Sequence, residues 1–355
     1  MSQARPSTPH LIDPLPAHRF DTAPLYAYLQ THIENFETPA TLRQFQGGQS
    51  NPTFLIETPT QNFVLRKKPP GKLLPSAHQI DREYRIQKAL AGTIPVAKMH
   101  HYCTDASIIG TEFYIMDFLE GRVFSDVMMS ELTPPERGAI QSHLFQTIGA
   151  LHAADYPALG LADYGKPTDY IARQIDRWKR QYEAAKTEDL PAMTALISWL
   201  EFHIPAEQVT SIVHGDFRLG NMMIHPTEPK IIAVLDWELS TLGHPLADLA
   251  YCCMPYHMPE NAGPAYAGYA TTNLPAHGLK SEQEVLALYC HQTHRDGIEN
   301  WPFYLGFSLF RSAAIAEGVY ARSLSGNAAD QRASKFHEMT KLASRVGHDI
   351  VHAPR

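Results

Sequence analysis

The sequence predicts an α+β protein of two lobes, in which an N-terminal antiparallel sheet with one helix precedes a larger, mostly helical lobe. With 355 residues, the chain is too long for one small hydrophobic core. Segments rich in β-branched and aromatic residues occupy its first third, and segments with helical periodicity occupy the rest. We therefore expect a flexible lead-in (1–20), an N-terminal lobe (21–116), a hinge (117–121) and a C-terminal lobe (122–355).

The N-terminal lobe is expected to begin with three strands. Segments 42–46, 53–58 and 63–67 have strand length and composition, and a Gly-rich turn joins the first two. Charged and apolar residues then alternate with helical period over 80–90, which predicts a helix. Segment 113–118 predicts a buried strand that ends near the hinge.

The C-terminal lobe is expected to consist mainly of helices. An apolar stripe that includes Ile140, Leu144 and Leu151 predicts a long helix over 136–153. Further helices are predicted over 170–186 and 192–203, with three more between about 281 and 348.

Composition argues against several classes of protein. A net charge of −7 without any Lys/Arg block argues against nucleic acid as the main partner. No run of 18 uncharged apolar residues occurs, so no membrane span is expected. Since the N-terminus also lacks the apolar core of a signal peptide, we expect a cytoplasmic protein. The four cysteines show no CxxC spacing and are expected to be reduced, and no His/Cys cluster indicates a zinc site.

The stretch HGDFRLGN at 214–221, followed by IIAVLDWE at 231–238, is the most informative motif of the chain. It places an asparagine five residues after an aspartate, and a second aspartate after a short apolar segment. In phosphoryl transfer, the carboxylate that accepts the hydroxyl proton must lie near the magnesium ion without binding it. We therefore expect Asp216 to be the catalytic base, and Asn221 and Asp236 to bind Mg²⁺.

A protein-kinase-like site also needs groups that bind the phosphates and the adenine of ATP. A Gly-rich hairpin turn lets backbone N–H groups approach phosphates closely, although such a turn alone is a weak signal. The hinge between the lobes can offer backbone groups to adenine. The candidate phosphate loop is Gly47, Gly48, Gln49 and Ser50, and the candidate hinge is Asp117, Phe118 and Leu119.

Arg66 ends the segment FVLR at the position where protein kinases carry a lysine. Arginine can bind phosphate and carboxylate groups bidentately. Alternation along the strand places Val64 and Arg66 on one face and Lys67 on the other, which favours Arg66 for the phosphates and leaves Lys67 as the alternative. Glu83 is the expected partner of Arg66, and a solvated glutamate on a helix face is the alternative.

Two further residues are expected to support the catalytic loop. His214 precedes Gly215 and Asp216 and is expected to brace the loop rather than to act as an acid or base. Asp248 either accepts hydrogen bonds from the backbone of this loop or caps the N-terminus of a helix.

Two absences indicate a small-molecule acceptor. Protein kinases carry an arginine before the catalytic aspartate, and a long segment with an A-P-E motif follows their metal-binding aspartate. Here Gly215 precedes Asp216, and only 11 residues separate Asp236 from Asp248. Such a segment is too short to dock a peptide.

These residues resemble the aminoglycoside and choline phosphotransferase superfamily, whose hallmark is HGDxxxxN followed by a strand that ends in D-W-E. The resemblance covers about residues 40–330 and is most specific for the kinase domain fused to acyl-CoA dehydrogenases of types 10 and 11, and for its free-standing bacterial relatives. It implies a protein-kinase-like fold, ATP and Mg²⁺ as cofactors, and phosphorylation of a hydroxyl, with a hydroxyacyl-CoA as one candidate acceptor. That subgroup also carries arginine at the position of Arg66. The segments that carry the resemblance are GGQSNPTFLI, FVLRKKPPGKLLPSAHQIDREYR, LHAADYPALGLADYGKP and WELSTLGHPLADLAY.

The charge of the C-terminal lobe bears on the acceptor. Residues 251–355 contain nine acidic and nine basic residues, a balance that disfavours a polycationic aminoglycoside. An acyl-CoA would need cations for its phosphates and an apolar slot for its acyl chain. The alternative interpretation of the candidate residues is a solvated basic helix face and a packed aromatic core. An aminoglycoside, choline-like or sugar kinase and a nucleotide-binding pseudokinase scaffold are the alternatives. The candidate acceptor residues are Arg173, Arg177, Lys179, Arg180, Arg311, Arg322, Trp301, Phe303 and Tyr304.

Overall fold

The computed structural model describes residues 10–46, 51–70, 79–260, 262, 267–324 and 333–354. Within these ranges, an antiparallel β-sheet is followed by a larger helical part, as the sequence predicts, but two helices accompany the sheet where one was expected.

The N-terminal part contains an antiparallel sheet of six strands. Its strands are β1 (Leu11–Ile12), β2 (Thr41–Phe45), β3 (Thr53–Glu57), β4 (Asn62–Lys67), β5 (Met99–Cys103) and β6 (Phe113–Asp117). Their spatial order is β1-β2-β3-β4-β6-β5, and all neighbouring pairs are antiparallel. The four strands predicted from sequence are found within one residue at each end. Strands β1 and β5 were not predicted, and β1 lies inside the stretch expected to be a lead-in.

Two helices accompany this sheet, α1 (Thr22–His32) and α2 (Ile80–Leu90). Helix α2 has the predicted bounds. Helix α1 was missed because its apolar residues follow only a weak helical pattern. Its start is nevertheless encoded locally, since the Asp21 side chain accepts a hydrogen bond from the N–H of Ala23 at 3.0 Å.

The two faces of the sheet have different roles. On one face, Leu25 and Leu29 of α1 pack into a small core with Phe54, Phe63 and Leu65 of the strands. On the other face, alternating residues of the same strands line a large cavity. Those cavity-facing residues are Thr53, Leu55, Val64 and Arg66.

The C-terminal part is mostly helical. Its helices are α3 (Pro134–Ala153), α4 (Tyr170–Ala185), α5 (Pro191–Phe202), α6 (Pro245–Cys253), α7 (Glu282–Thr293), α8 (Trp301–Leu324) and α9 (Ala333–His352). Helices α3, α4 and α5 and the three terminal helices correspond to predictions, whereas α6 had not been given bounds. They enclose the larger hydrophobic core of the protein. A capping box between Thr133 and Glu136 fixes the start of α3.

Two short two-stranded sheets interrupt the helices. Strand β7 (Ser211–Val213) pairs with β10 (Thr241–Gly243), and β8 (Met222–Ile224) pairs with β9 (Ile231–Val234). The HGDFRLGN motif spans the connection between β7 and β8, so both ends of its loop are anchored by strands.

All four cysteines are unpaired thiols, as predicted. Among the residues that the structure describes, no helix combines the length and the apolar character needed to cross a bilayer.

Candidate active site

The loop between β7 and β8 holds Asp216 and Asn221 together. The side-chain Nδ2 of Asn221 donates hydrogen bonds to the backbone oxygen and to Oδ2 of Asp216, each at 2.8 Å. The five-residue spacing therefore closes the loop upon itself. Arg218 lies beside the same carboxylate, with its Nε 3.6 Å from Oδ2 of Asp216.

His214 joins this loop to the strand that leads to Asp236. Its Nε2 lies 2.8 Å from the carbonyl oxygen of Leu235, and its Nδ1 lies 3.2 Å from the backbone nitrogen of Asp216. A neutral ring satisfies both bonds if Nε2 donates and Nδ1 accepts. The ring is fully buried and in contact with Trp237. This geometry confirms the expected bracing role.

Asp248 anchors the same loop from helix α6. Its carboxylate accepts the backbone N–H of His214 at 2.7 Å and that of Gly215 at 2.9 Å. The helix cap belongs instead to His244, which accepts the N–H of Leu246 at 3.3 Å. Of the two roles considered for Asp248, the structure therefore supports the anchoring of the loop. Burial alone would raise the pKa of Asp248. Hydrogen bonds from His152 and from the loop backbone outweigh that effect, so the pKa of Asp248 lies below its usual value.

Asp236 follows β9 with left-handed backbone angles, φ 64° and ψ 62°. This conformation is uncommon for a residue other than glycine and turns the side chain out of the strand direction. The N–H of Leu235 donates to the backbone oxygen of Asn221 at 2.8 Å, which places the two candidate metal ligands beside each other.

Arg66 and Glu83 form a buried ion pair on the opposite wall, with Nε of Arg66 2.8 Å from Oε2 of Glu83. Glu83 is 3% exposed and also accepts hydrogen bonds from Tyr114 (3.1 Å) and Asn51 (2.8 Å). Burial raises the pKa of Glu83, although Arg66 and Tyr114 oppose the shift. Burial alone would lower the pKa of Arg66, but Tyr114, Glu83 and Asp236 raise it. Arg66 therefore stays charged, and Asp236 lies within its electrostatic reach.

Lys67 points to the other face of β4, as strand alternation predicts. It is 5% exposed, and its Nζ lies 5.5 Å from the ring centroid of Phe20. Burial lowers its pKa. Of the two candidate cations, only Arg66 faces the cavity.

The hinge residues Asp117, Phe118 and Leu119 line the same cavity. The N–H of Asp117 donates to Lys98 and that of Phe118 donates to Asn62, at 2.9 and 3.3 Å. Within the described ranges, no acceptor takes a hydrogen bond from the N–H of Leu119.

The four residues expected to form a phosphate loop, Gly47, Gly48, Gln49 and Ser50, lie outside the described residues. On either side of them, Phe45 and Thr53 line the cavity.

The cavity between these walls has a volume of about 760 Å³. It brings together Arg66, Glu83, the hinge, Asn221 and Asp236. Both hydrogens of the Asn221 amide are used on Asp216, so its oxygen is left to act as a ligand. An amide oxygen and a carboxylate fit Mg²⁺, which usually takes few protein ligands and completes its shell with phosphates and water.

Residues 41–279 match the model of the phosphotransferase enzyme family. This chain belongs to that family. The predicted resemblance is thereby confirmed, and the phosphotransferase has the expected kinase-like arrangement of sheet and helices.

Two curated relatives and one solved structure resemble the phosphotransferase over most of its length. It is 45% identical to mouse acyl-CoA dehydrogenase family member 10, over 92% of this chain and 31% of the relative. It is 42% identical to human acyl-CoA dehydrogenase family member 11, over 95% of this chain and 44% of the relative. The chain thus spans less than half the length of these relatives. A putative aminoglycoside phosphotransferase from Ralstonia eutropha has 45% identity and a TM-score of 0.87, over 94% of this chain and 98% of that one.

More distant structures share only the fold. The aminoglycoside phosphotransferase APH(4)-Ia, solved with AMP-PNP and hygromycin B, has 14% identity and a TM-score of 0.59, over 94% of this chain and all of that one.

Sequence reasoning missed the residues that hold the site together from a distance. Tyr114 is the cross-strand partner of Arg66, and its hydroxyl binds Glu83. Arg82, beside Glu83 on α2, donates to the carbonyl of Tyr164 at 2.6 Å and lies 4.0 Å from its ring centroid. The Tyr164 hydroxyl in turn bonds Ser240, shortly after Asp236. Pairing register could have indicated Tyr114, but no local signal indicated the contacts of Arg82.

The candidate acceptor residues do not form one group. Phe303 and Tyr304 are 2% and 1% exposed and belong to the core, so the packed-core alternative is correct for them. The remaining residues lie on several surfaces. Lys179 pairs with Glu201, Arg180 pairs with Asp176, Trp301 donates to Glu282, and Arg322 lines a shallow groove between α4 and α8. Arg173, Arg177 and Arg311 do lie near one another, around Tyr170 and Trp178, and Arg311 contacts the loop that carries Asp216.

Proposed function

We propose that this phosphotransferase is an Mg·ATP-dependent kinase that transfers the γ-phosphoryl group to a hydroxyl of a small-molecule acceptor. The observation that carries the proposal is the convergence of Arg66, Asn221, Asp236 and the hinge on one cavity of about 760 Å³. Asp216 is hydrogen-bonded to Asn221 at the edge of this cavity. The volume is suited to a nucleotide, and the side chains match those needed for phosphoryl transfer.

Adenine would bind between the sheet and the floor of the C-terminal lobe. Val64 and Met116 contribute apolar surface from the strands, and Met223 and Val234 contribute it from below. We propose that the N–H of Leu119 donates to the adenine ring, because the two preceding N–H groups are used within the fold.

The phosphates would lie between Arg66 and the candidate metal ligands. Mg²⁺, held by Asn221 and Asp236, would neutralise charge on the phosphate oxygens. Glu83 keeps the guanidinium of Arg66 fixed, so its N–H groups are positioned before the nucleotide binds. The residues proposed for the phosphate loop would add backbone donors.

Asp216 would accept the proton of the acceptor hydroxyl as the hydroxyl oxygen attacks the γ-phosphorus, while the bond between the γ-phosphorus and its bridging oxygen breaks and ADP leaves. The hydrogen bonds from Asn221 orient this carboxylate toward the metal-binding side. Since the transition state of phosphoryl transfer is loose, the fixed position of Asp216 should matter as much as its basicity.

The acceptor that we propose is a hydroxyacyl-CoA. The support is the similarity to two relatives named as acyl-CoA dehydrogenases, together with the balanced charge of residues 251–355. A second, smaller cavity of about 80 Å³ adjoins the catalytic loop at Arg218 and Gly220. Its walls are mainly apolar, with Met129, Leu144 and Met258 among them, and suit a hydrocarbon segment better than a polycation.

Replacement of the proposed base tests the reaction. Asp216→Asn should lower kcat by about 10²- to 10⁴-fold while ATP affinity, measured by calorimetry, stays near that of the wild type. A variant with near-wild-type turnover would refute the assignment of Asp216 as the base.

A screen of acceptors tests the substrate. Purified protein with Mg·ATP is offered hydroxyacyl-CoAs, aminoglycosides, choline and sugars, and products are followed by mass spectrometry. We expect one added phosphoryl group only on the hydroxyacyl-CoAs. Nucleotide binding without any product across this panel would support the scaffold alternative, which we disfavour because every expected catalytic position within the described residues is filled.

A further inference from the structure

Three arginines near Gly215 have no carboxylate partner among the residues that the structure describes. Arg173 and Arg177 are on α4 and Arg311 is on α8. We infer that Arg173, Arg177 and Arg311 form a subsite that binds an anionic group of the acceptor, a phosphate or a carboxylate. The inference rests on the proposed kinase function and specifies the chemistry of its substrate.

Aromatic contacts show that these arginines converge. The guanidinium carbons of Arg177 and Arg311 lie 5.4 and 5.6 Å from the ring centroid of Trp178. The positive charges of all three arginines also interact electrostatically with the hydroxyl of Tyr170. Burial raises the pKa of this hydroxyl, and the charges of Arg311, Arg173 and Arg177 oppose that shift. Two guanidinium groups on one indole repel each other unless an anion compensates them.

The hydrogen-bonding capacity of the cluster is largely unused. In the part of the chain that the structure describes, none of the three arginines has a carboxylate within ion-pair distance. Nη1 of Arg173 is buried and has no hydrogen-bond partner there. Nη2 of Arg173 donates to the carbonyl of Lys166 at 2.8 Å. The charge of Asp248 also interacts with Tyr170, but both carboxylate oxygens of Asp248 accept hydrogen bonds from the backbone of His214 and Gly215.

The neighbours on the same helix make the contrast clear. Lys179 and Arg180, which follow Arg177 and Trp178, are paired with Glu201 and Asp176. Arg177 and Arg311 contact aromatic rings and have no carboxylate partner in the described part of the chain, as is typical of arginines that recognise phosphate or carboxylate.

The position of the cluster connects it to the acceptor rather than to the nucleotide. Nη2 of Arg311 donates to the carbonyl oxygen of Gly215 at 2.6 Å, one residue before Asp216. The ring of Tyr251, 5.5 Å from the Arg311 guanidinium, also lines the small apolar cavity. An acceptor could therefore place its hydroxyl at Asp216, an apolar segment in the cavity and an anionic group on the arginines.

A binding experiment tests the subsite without requiring turnover. The protein is first saturated with Mg·AMP-PNP, which also reports whether the nucleotide site works. Adenosine 3′,5′-bisphosphate and inorganic phosphate are then titrated by calorimetry. Arg177→Gln and Arg173→Gln should each weaken binding by about tenfold or more, which corresponds to about 1.4 kcal/mol. Arg180→Gln is the matched control on the same helix and should leave binding unchanged.

Two outcomes of this titration would overturn the inference. One is the failure of the wild-type protein to bind either probe while it binds AMP-PNP. The other is an equal loss of affinity in Arg177→Gln and Arg180→Gln. A failure to bind AMP-PNP would instead count against the proposed kinase function.

Kinetics with matched acceptors identify the source of the anion. The same hydroxyacyl group is offered as a CoA thioester, as a free acid and as a neutral pantetheine thioester. Arg177→Gln should raise KM about tenfold for the CoA thioester if the site binds its phosphates, or for the free acid if it binds the carboxylate, with kcat within about threefold of the wild type. The KM for the neutral thioester should not change. An equal rise for all three acceptors, or binding of inorganic phosphate with no change in any KM, would overturn the assignment to the acceptor.

Discussion

The cavity is bounded by two polar networks that are built in different ways. The lower network joins Asp216, Asn221 and His214 within a stretch of eight residues, and Asp248 fastens it from a helix shortly after. The upper network joins Arg66 to Glu83, together with Tyr114 and Asn51, and so draws on two strands, a helix and a turn. The lower network is mainly a consequence of local spacing, whereas the upper one exists only after the sheet and α2 have packed together.

The two networks also differ in how their charges are stabilised. Asp248 receives two backbone N–H groups, a donor that every residue except proline supplies. The Glu83 carboxylate receives the side chains of Asn51 and Tyr114 and the guanidinium of Arg66, whose positions depend on packing. We therefore expect loss of the single acceptor Asp248 to disrupt the lower network as a whole. In the upper network, each donor to Glu83 can be removed separately by mutation.

The largest effect is expected from Asp248→Ala. This change leaves the buried N–H groups of His214 and Gly215 without an acceptor, and each such group costs about 1–3 kcal/mol. The free energy of unfolding should fall by about 3 kcal/mol, and kcat should fall by about 100-fold or more because the loop loses its position. Urea denaturation and steady-state kinetics measure both, with the exposed Asp349→Ala as a control. A stable Asp248→Ala variant with normal kcat would contradict the anchoring role.

A large effect on activity with less effect on stability is expected from Arg66→Met. The variant removes the cation proposed to contact the phosphates, so kcat/KM should fall by about 100-fold. Glu83 keeps its bonds from Tyr114 and Asn51 and can take up a proton, since burial raises its pKa. Lys67→Met is the matched control, because this neighbouring side chain faces away from the cavity and should leave kcat/KM within about twofold. Equal losses in the two variants would show that the assignment of the two faces of β4 is wrong.

An effect that is absent at neutral pH and appears only in acid is expected from His244. This ring caps α6, the helix that carries Asp248, and its burial lowers its pKa to about 4. In the unfolded chain a histidine has a pKa of about 6.5, so the unfolded state binds the proton more tightly. Stability should therefore fall as the pH drops from about 6.5 toward 4, by on the order of 3 kcal/mol in total.

The variant His244→Asn isolates this contribution. Asparagine is a good helix cap and can accept the N–H of Leu246, but it does not titrate in this range. Between pH 7 and 4.5, urea denaturation should show that the wild type loses about 2–3 kcal/mol more than the variant. Parallel pH profiles for the two proteins would rule out His244 as the source of acid sensitivity in the lower network.

The sequence-based predictions were most accurate for residues that are close together in the sequence. Asp216, Asn221 and Asp236 were predicted from spacing, and the structure brings them together because short-range hydrogen bonds close the loop. The pairing of Arg66 with Glu83 was also expected, and strand alternation correctly separated Arg66 from Lys67. Their role in binding ATP and Mg²⁺ remains a prediction that the variants above would test.

The predictions were weaker where structure depends on contacts between distant segments. Helix α1 lacks a strong amphipathic pattern and is held by burial of Leu25 and Leu29 against the sheet. The candidate acceptor aromatics Phe303 and Tyr304 have the composition of a binding slot, yet they are part of the core. Composition alone could not separate these two environments.

Local spacing was enough to predict that Asp216 and Asn221 meet in one loop, because residues a few positions apart can reach one another in any chain that forms this turn. The sequence by itself also determined the class of the fold, through the change from β-prone to helical periodicity. Long-range packing, by contrast, sets which side chains support Glu83, and which arginines near Gly215 have no carboxylate partner among the described residues. Those properties depend on the packing of elements far apart in sequence, which no local pattern specifies.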